Sequence, residues 1–154
     1  YSLISRGIEE SILPATRELG IGITAYGVLS RGLISGHWRA EQAAGAGDTR
    51  THYPRFQGEN LAHNLSLVEE LRSIAEAKGV SVAQIAIAWV LAQSEDIVPL
   101  IGARNRTRLT EALGSLDVQL TPADLEQIEK AVPRDSAAGP RYDPALMRML
   151  DSEN

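Results

Sequence analysis

The stretch Ile97-Val98-Pro99-Leu100-Ile101-Gly102-Ala103-Arg104-Asn105-Arg106-Thr107-Arg108-Leu109-Thr110-Glu111-Ala112-Leu113 decides the fold. Its apolar opening, residues 97–101, reads as a buried strand that stops at Gly102. From Arg106 the apolar positions return with helical spacing. A strand that ends in glycine and feeds a helix is half of a β-α unit, so a parallel sheet is expected. Between the two, Arg104, Arg106 and Arg108 alternate along the chain.

The same pattern recurs upstream. Residues 8–19 read as a helix, with Pro14 at a kink or in its true first turn, and Gly20 stops it. Residues 20–26 form a second short β-rich run, and Tyr1 to Ile4 read as the end of another strand. A glycine-punctuated loop is expected from Gly27 to about Asn60, including the run of alanine and glycine at residues 43–48. Its length marks it as functional or mobile. From Leu61 the positions Leu61, Leu65, Val68, Leu71, Ile74 and Ala75 share one helical face, which Lys78-Gly79 closes. Ser81 and Gln84 have the spacing of a capping box for the next helix, with Val82, Ile85, Ala86, Trp89 and Val90 as its stripe. Thr121-Pro122-Ala123-Asp124 opens a last strong helix to about Val132. A tail follows from Pro133, with one short helix at residues 144–150.

The order (β)-α-β-loop-α-α-β-α-α-tail contains only two whole strands. A parallel pair leaves its edges and apolar faces without neighbours, so the chain reads as a section of a larger α/β structure. Tyr1 opens inside an apolar run, which supports the same expectation.

Composition narrows the function. The chain has 154 residues, is 44% hydrophobic and 23% charged, and carries a net charge of −5. That balance argues against a general nucleic-acid or membrane-surface binder, so a basic site must be local. With no cysteine, thiolate metal sites and cysteine nucleophiles are excluded, and a reducing cytoplasm fits. No apolar run is long enough to span a bilayer. His37, His52 and His63 lack metal-ligand spacing and read as loop or surface residues.

Two stretches carry chemistry. At the first, Gly102 brings backbone N–H groups to a helix start, where an anion is favoured. Arg104 and Arg108, four apart, share one side of the first turn in this reading, and Glu111 lies three residues beyond. Guanidinium forks match phosphate and stack on flat rings, which fits a phosphate joined to an aromatic base, such as the 2′-phosphate end of NADPH. A solvated basic helix start with nothing bound fits the residues equally. The second stretch is Ala25-Tyr26-Gly27-Val28-Leu29-Ser30-Arg31-Gly32-Leu33. An aromatic at a strand end can stack on a cofactor ring, and the residues after it can reach phosphate. Tyr26 as a core residue with a satisfied hydroxyl is the alternative.

The segments YSLISR, RELGIGITAYGVLSRGLISGHW, PRFQGEN, AQIAIAWVLAQ, VPLIGARNRTRLTEAL and LTPADLEQIEKAV together resemble the C-terminal part of an aldo-keto reductase. The tail RYDPALMRMLD resembles that of a bacterial branch. The resemblance implies an α/β fold that is part of a (β/α)8 TIM barrel, roughly its last two to three βα units plus a C-terminal tail. Residues 1–132 would be barrel and 133–154 tail. It also implies NADPH as cofactor. Tyr26 would stack on the nicotinamide, and Gly27, Leu29, Ser30, Arg31 and Gly32 would line the pyrophosphate and ribose. Arg55 would touch the pyrophosphate. Gly102, Ala103, Arg104 and Arg108 would hold the 2′-phosphate, and Glu111 the adenine side. Two positions depart from the family: His37 stands where relatives often have lysine, and Ala112 where they often have asparagine.

The family's catalytic Asp, Tyr, Lys and His come from the first half of the barrel, so no catalytic residue is assigned in this chain. The expectation is an NADPH-binding portion of a carbonyl reductase, inactive alone. It would be completed by the missing N-terminal half or covered by self-association. The alternative is a catalytically silent nucleotide-binding or regulatory module.

Overall fold

The computed structural model describes residues 1–38 and 47–150; most of the expected alanine-glycine run at 43–48 lies outside them. Two strands, β1 (Ile23–Ala25) and β2 (Ile97–Pro99), pair in parallel, with Ile23 opposite Ile97 and Ala25 opposite Pro99. Helix α1 (Ile12–Glu18) precedes β1, with Pro14 in its first turn, where a missing N–H costs nothing. Between the strands run α2 (Gly58–Ala77) and α3 (Val82–Leu91), which bend 87° from one another. After β2 come α4 (Arg106–Leu113), α5 (Pro122–Ala131) and the short α6 (Pro144–Met147). Among the described residues no single helix is long and apolar enough to cross a membrane.

The helix expected over residues 8–19 is a 3-10 turn at Gly7–Glu9 followed by the shorter α1, whereas the two capping signals act as read. The Ser81–Gln84 and Thr121–Asp124 capping boxes both form, each satisfying two N–H groups that the helix start leaves without partners. Helix α2 starts at Gly58, three residues before its apolar period becomes visible. Leu67 and Asn64 also turn inward on it. Helix α3 buries eight of its residues rather than a stripe. It is enclosed by α2, α4, β2 and the 3-10 turns at Ser30–Ser35 and Gly114–Asp117, so no face is left for polar side chains except at Gln84. Ile85 and Val90 are fully enclosed there, each contributing roughly 1.5–3 kcal/mol by burial.

Tyr1 to Ile4 do not form the expected strand end. Ser2 and Ser5 exchange both backbone hydrogen bonds at 3.1 Å, closing a tight turn. The backbone nitrogen of Tyr1 donates to the Tyr26 carbonyl at 2.9 Å. That contact sets this turn beside the end of β1. Nor is the sheet covered on both faces. Ile97 and Ala25 are buried, whereas Val98 and Leu100 are 57% and 51% exposed. Side chains alternate across a strand, so one face of the sheet is packed on helices and the other is bare.

Helix α5 is tied to the end of α2 by Lys78, whose Nζ donates to Asp124 Oδ2 at 2.7 Å. This bond and those from Thr121 hold the Asp124 carboxyl at about 2, below its ordinary value. A depressed carboxylate stabilises the fold above its unfolded value and loses that contribution as pH falls through the folded one. The acid limb of unfolding between pH ~4 and ~2 is therefore expected to flatten in Asp124→Asn, measured by circular dichroism against pH. An unchanged limb would mean the bridge contributes nothing.

Candidate functional site

At the end of β1 the chain turns at Gly27, φ +74°, and continues through Ser30 and Arg31 at φ +47° and +57°. Two consecutive non-glycine residues in the left-handed region are strained, of order 1–3 kcal/mol each. The turn is held by Ser30 N–H donating to Gly27 O at 2.7 Å and Gly32 N–H to Leu29 O at 2.8 Å. The Ser30 and Gly32 N–H groups are thereby satisfied within the turn itself.

This turn is one wall of an open cleft of about 200 Å³, lined also by Tyr1, Ser5, Tyr26, Arg55, Phe56, Arg141 and Tyr142. Tyr26 is 54% exposed, so it is not the core residue of the alternative reading. Its hydroxyl lies 3.1 Å from that of Tyr142. That hydrogen bond raises the Tyr26 phenol above its ordinary range and lowers Tyr142, to which Arg31 and Arg141 also contribute. The Arg31 guanidinium sits in the corner between the Tyr53 and Tyr142 rings, 4.1 and 4.7 Å from their centroids, the two rings meeting edge-on at 72°. Arg55 donates to Gly139 O and Ser5 Oγ at 3.1 and 2.8 Å.

The cleft's far wall belongs to the tail, ahead of the short helix α6. Asn64, buried on α2, donates to the Ala138 and Arg55 carbonyls at 3.0 and 3.1 Å and accepts from Ala138 N–H at 2.8 Å. These bonds carry residues 138–142 back over the loop after β1. No local signal marks the pairing of Tyr26 with Tyr142, 116 residues away.

The second site follows β2. Asn105 caps α4, its side chain accepting from Arg108 N–H at 2.9 Å. Arg104 therefore precedes the helix, and the expected sharing of a helical turn by Arg104 and Arg108 does not occur. Arg104 instead acts on the Asp48 carboxylate through space. Gly102 needs no glycine for internal packing, since a Cβ there meets nothing within 4 Å; Gly102 and Ala103 are both exposed. Arg108 Nη1 donates to Glu111 Oε2 at 2.9 Å.

His37, on the loop that follows the first turn, meets the second site. Its Nε2 lies 2.9 and 3.0 Å from the two oxygens of Glu111 and also touches Arg108 Nη1. Partial burial pushes the Glu111 carboxyl up, but hydrogen bonds from Arg108, Ser81 and His37 prevail and hold it below the usual range. Gly36, φ +75°, places His37 there, and any Cβ at Gly36 would meet Val82 Cβ at 2.8 Å. No group of three or more potential metal ligands occurs among the described residues.

The sequence profile of the Aldo/keto reductase family matches residues 1–133. A curated relative from Glycine max, named probable aldo-keto reductase 1, is 42% identical over 92% of this chain and 41% of its own length. Another, from Schizosaccharomyces pombe, named aldo-keto reductase yakc [NADP(+)], is 36% identical over 94% of this chain and 43% of its own. Among solved structures, the glycerol dehydrogenase AKR11B4 from Gluconobacter oxydans superposes with a TM-score of 0.81 at 28% identity. That match covers 94% of this chain and 43% of the other. The chain thus spans about two fifths of the length of these relatives, and its two strands are part of a TIM barrel.

Proposed function

Because the chain belongs to the aldo/keto reductase family, we propose that it is the NADP(H)-binding C-terminal part of a reductase that converts aldehydes or ketones to alcohols. Residues 1–132 are the barrel portion in this reading and 133–154 its tail, of the bacterial type. The observation that carries it is an exposed ring at the end of one strand, together with an arginine held by Glu111 in the first turn of the helix that follows the other strand. The name of one relative includes NADP(+).

The residues suit that cofactor. Tyr26 offers an open ring for the nicotinamide. Gly27, Ser30 and Arg31 line the same cleft as Arg55, and with Leu29 and Gly32 they form the turn that would lie along the pyrophosphate and ribose. Gly102, Ala103, Arg104 and Arg108 would hold the 2′-phosphate, with Glu111 on the adenine side. The cofactor, when bound, supplies the hydride that reduces the carbonyl. This chain's part is to bind and orient it. Proton transfer belongs to residues supplied from the rest of the barrel.

The bare sheet face around Val98 and Leu100 favours a cover, either the remaining barrel or a second copy of this chain. A compartment with reducing conditions, the cytoplasm, suits the cysteine-free sequence. The test is NADPH titration of the purified 154-residue chain by tryptophan quenching, with carbonyl reduction assayed beside it. Binding without turnover is expected, and turnover on adding the remaining barrel as a second polypeptide. Turnover by the chain alone would overturn the assignment of proton transfer elsewhere. Failure to bind NADPH, alone or completed, would leave the silent regulatory module as the better reading, with sedimentation reporting self-association.

A further inference from the structure

His37 makes contacts that no single arrangement of its ring protons satisfies together. A single ring nitrogen, Nε2, faces both oxygens of Glu111 at 2.9 and 3.0 Å and also Arg108 Nη1. Toward a carboxylate that nitrogen must donate. Toward a guanidinium, which has only donors, it must accept. The two contacts therefore belong to different states of the imidazole. Neutral with its proton on Nδ1, His37 accepts from Arg108 and helps Glu111 hold it. Protonated, it donates to Glu111, competes with Arg108 for that carboxylate and repels the guanidinium.

We propose that His37 is a proton-operated selector for the phosphorylated cofactor: protonation releases Arg108 from Glu111 and adds a second cation beside the 2′-phosphate. The proposal rests on the NADP(H) reading of this site. It predicts that preference for NADPH over NADH rises as pH falls, which a lysine at this position would not produce.

The surroundings bear on the sign. From α4, His37 faces Arg108 and Glu111. From α2, Arg72 and Glu76 line the small cleft it shares, and Glu69 pairs with Arg72 at 2.9 Å. Arg72 also donates to Gly36 O at 3.0 Å. From the turn before α3, the Ser81 hydroxyl helps to lower the Glu111 carboxyl. Among the described residues Glu111 is the carboxylate that touches His37 directly, and it keeps at least one cation in both states. The net change at the phosphate-facing side is thus one added positive charge. Histidine is the side chain whose charge changes between pH 5 and 8. The site is solvent-facing, with the His37 side chain 40% exposed, so screening limits the effect to about three- to tenfold in relative affinity.

The experiment is equilibrium binding of NADPH and of NADH to the intact protein between pH 6 and 8, with His37→Gln and His37→Lys as companions. The 2′-phosphate itself titrates near the low end of this range, and that contribution is common to all three proteins. The expected result is a Kd ratio, NADH over NADPH, that increases about three- to tenfold more from pH 8 to 6 in the wild type than in either variant. His37→Lys should hold the ratio high at pH 8, and His37→Gln low at pH 6. Parallel pH profiles in all three proteins, with NADPH still preferred, would overturn the selector and leave the cofactor site standing. Absence of NADPH binding at every pH would overturn both.

Discussion

Arg108→Ala is expected to weaken NADPH binding by about 10- to 100-fold while changing NADH by less than about threefold. The guanidinium is held at the start of α4 by Glu111, with its side chain 44% exposed, so it is oriented yet open to a ligand. A charge-assisted hydrogen bond to phosphate contributes about 1.5–3 kcal/mol, and NADH lacks the group that receives it. The helix itself should survive. The Asn105 cap bonds the backbone N–H of residue 108, which alanine retains, and alanine is the best helix former. Parallel titrations with both cofactors measure the effect. Equal losses would show that Arg108 supports the whole nucleotide or the fold rather than the 2′-phosphate. Arg108→Lys should fall between, since an ammonium keeps the charge but not the planar fork.

Asn64→Leu is expected to cost about 2–4 kcal/mol of stability and to loosen the tail from the cleft. Asn64 is 2% exposed, and its amide makes three hydrogen bonds, two to Ala138 and one to Arg55. Leucine has similar volume, so packing is largely kept while the buried N–H and C=O groups of the tail lose their partner. The tail carries Arg141 and Tyr142, which line the cleft. Thermal unfolding should therefore shift down, and trypsin should cut after Arg134 or Arg141 sooner than in the wild type. Wild-type stability together with wild-type proteolysis would mean the tail is held by its other contacts, such as His63 Nε2 with Ser136 O at 2.7 Å.

Much of the site was legible for chemical reasons that act locally. Arg108 and Glu111 are three apart on one helix, and that spacing alone brings them together. Tyr26 follows a buried strand, and strand ends open toward solvent. The helix starts at Arg106 as its spacing indicates, with Asn105 as cap, so Arg104 stands outside it and shares no helical turn with Arg108. The turn at Tyr1 to Ile4 was misread as a strand because an apolar run of four residues is equally suited to any buried conformation.

The sequence by itself determined the order of the helices and the two parallel strands, the family and the two stretches proposed for its cofactor. Each rests on a cap, a glycine stop, an apolar period or a motif whose parts lie within a few residues, where backbone geometry links them directly. Only the tertiary structure decided that His37 meets Glu111 across 74 residues, that Tyr142 meets Tyr26 across 116, and that Asn64 holds the tail. It also decided that one face of the sheet is bare. These depend on how α2 and α3 cross and how the tail returns over the loop, and no local energy term records a partner so distant in the chain.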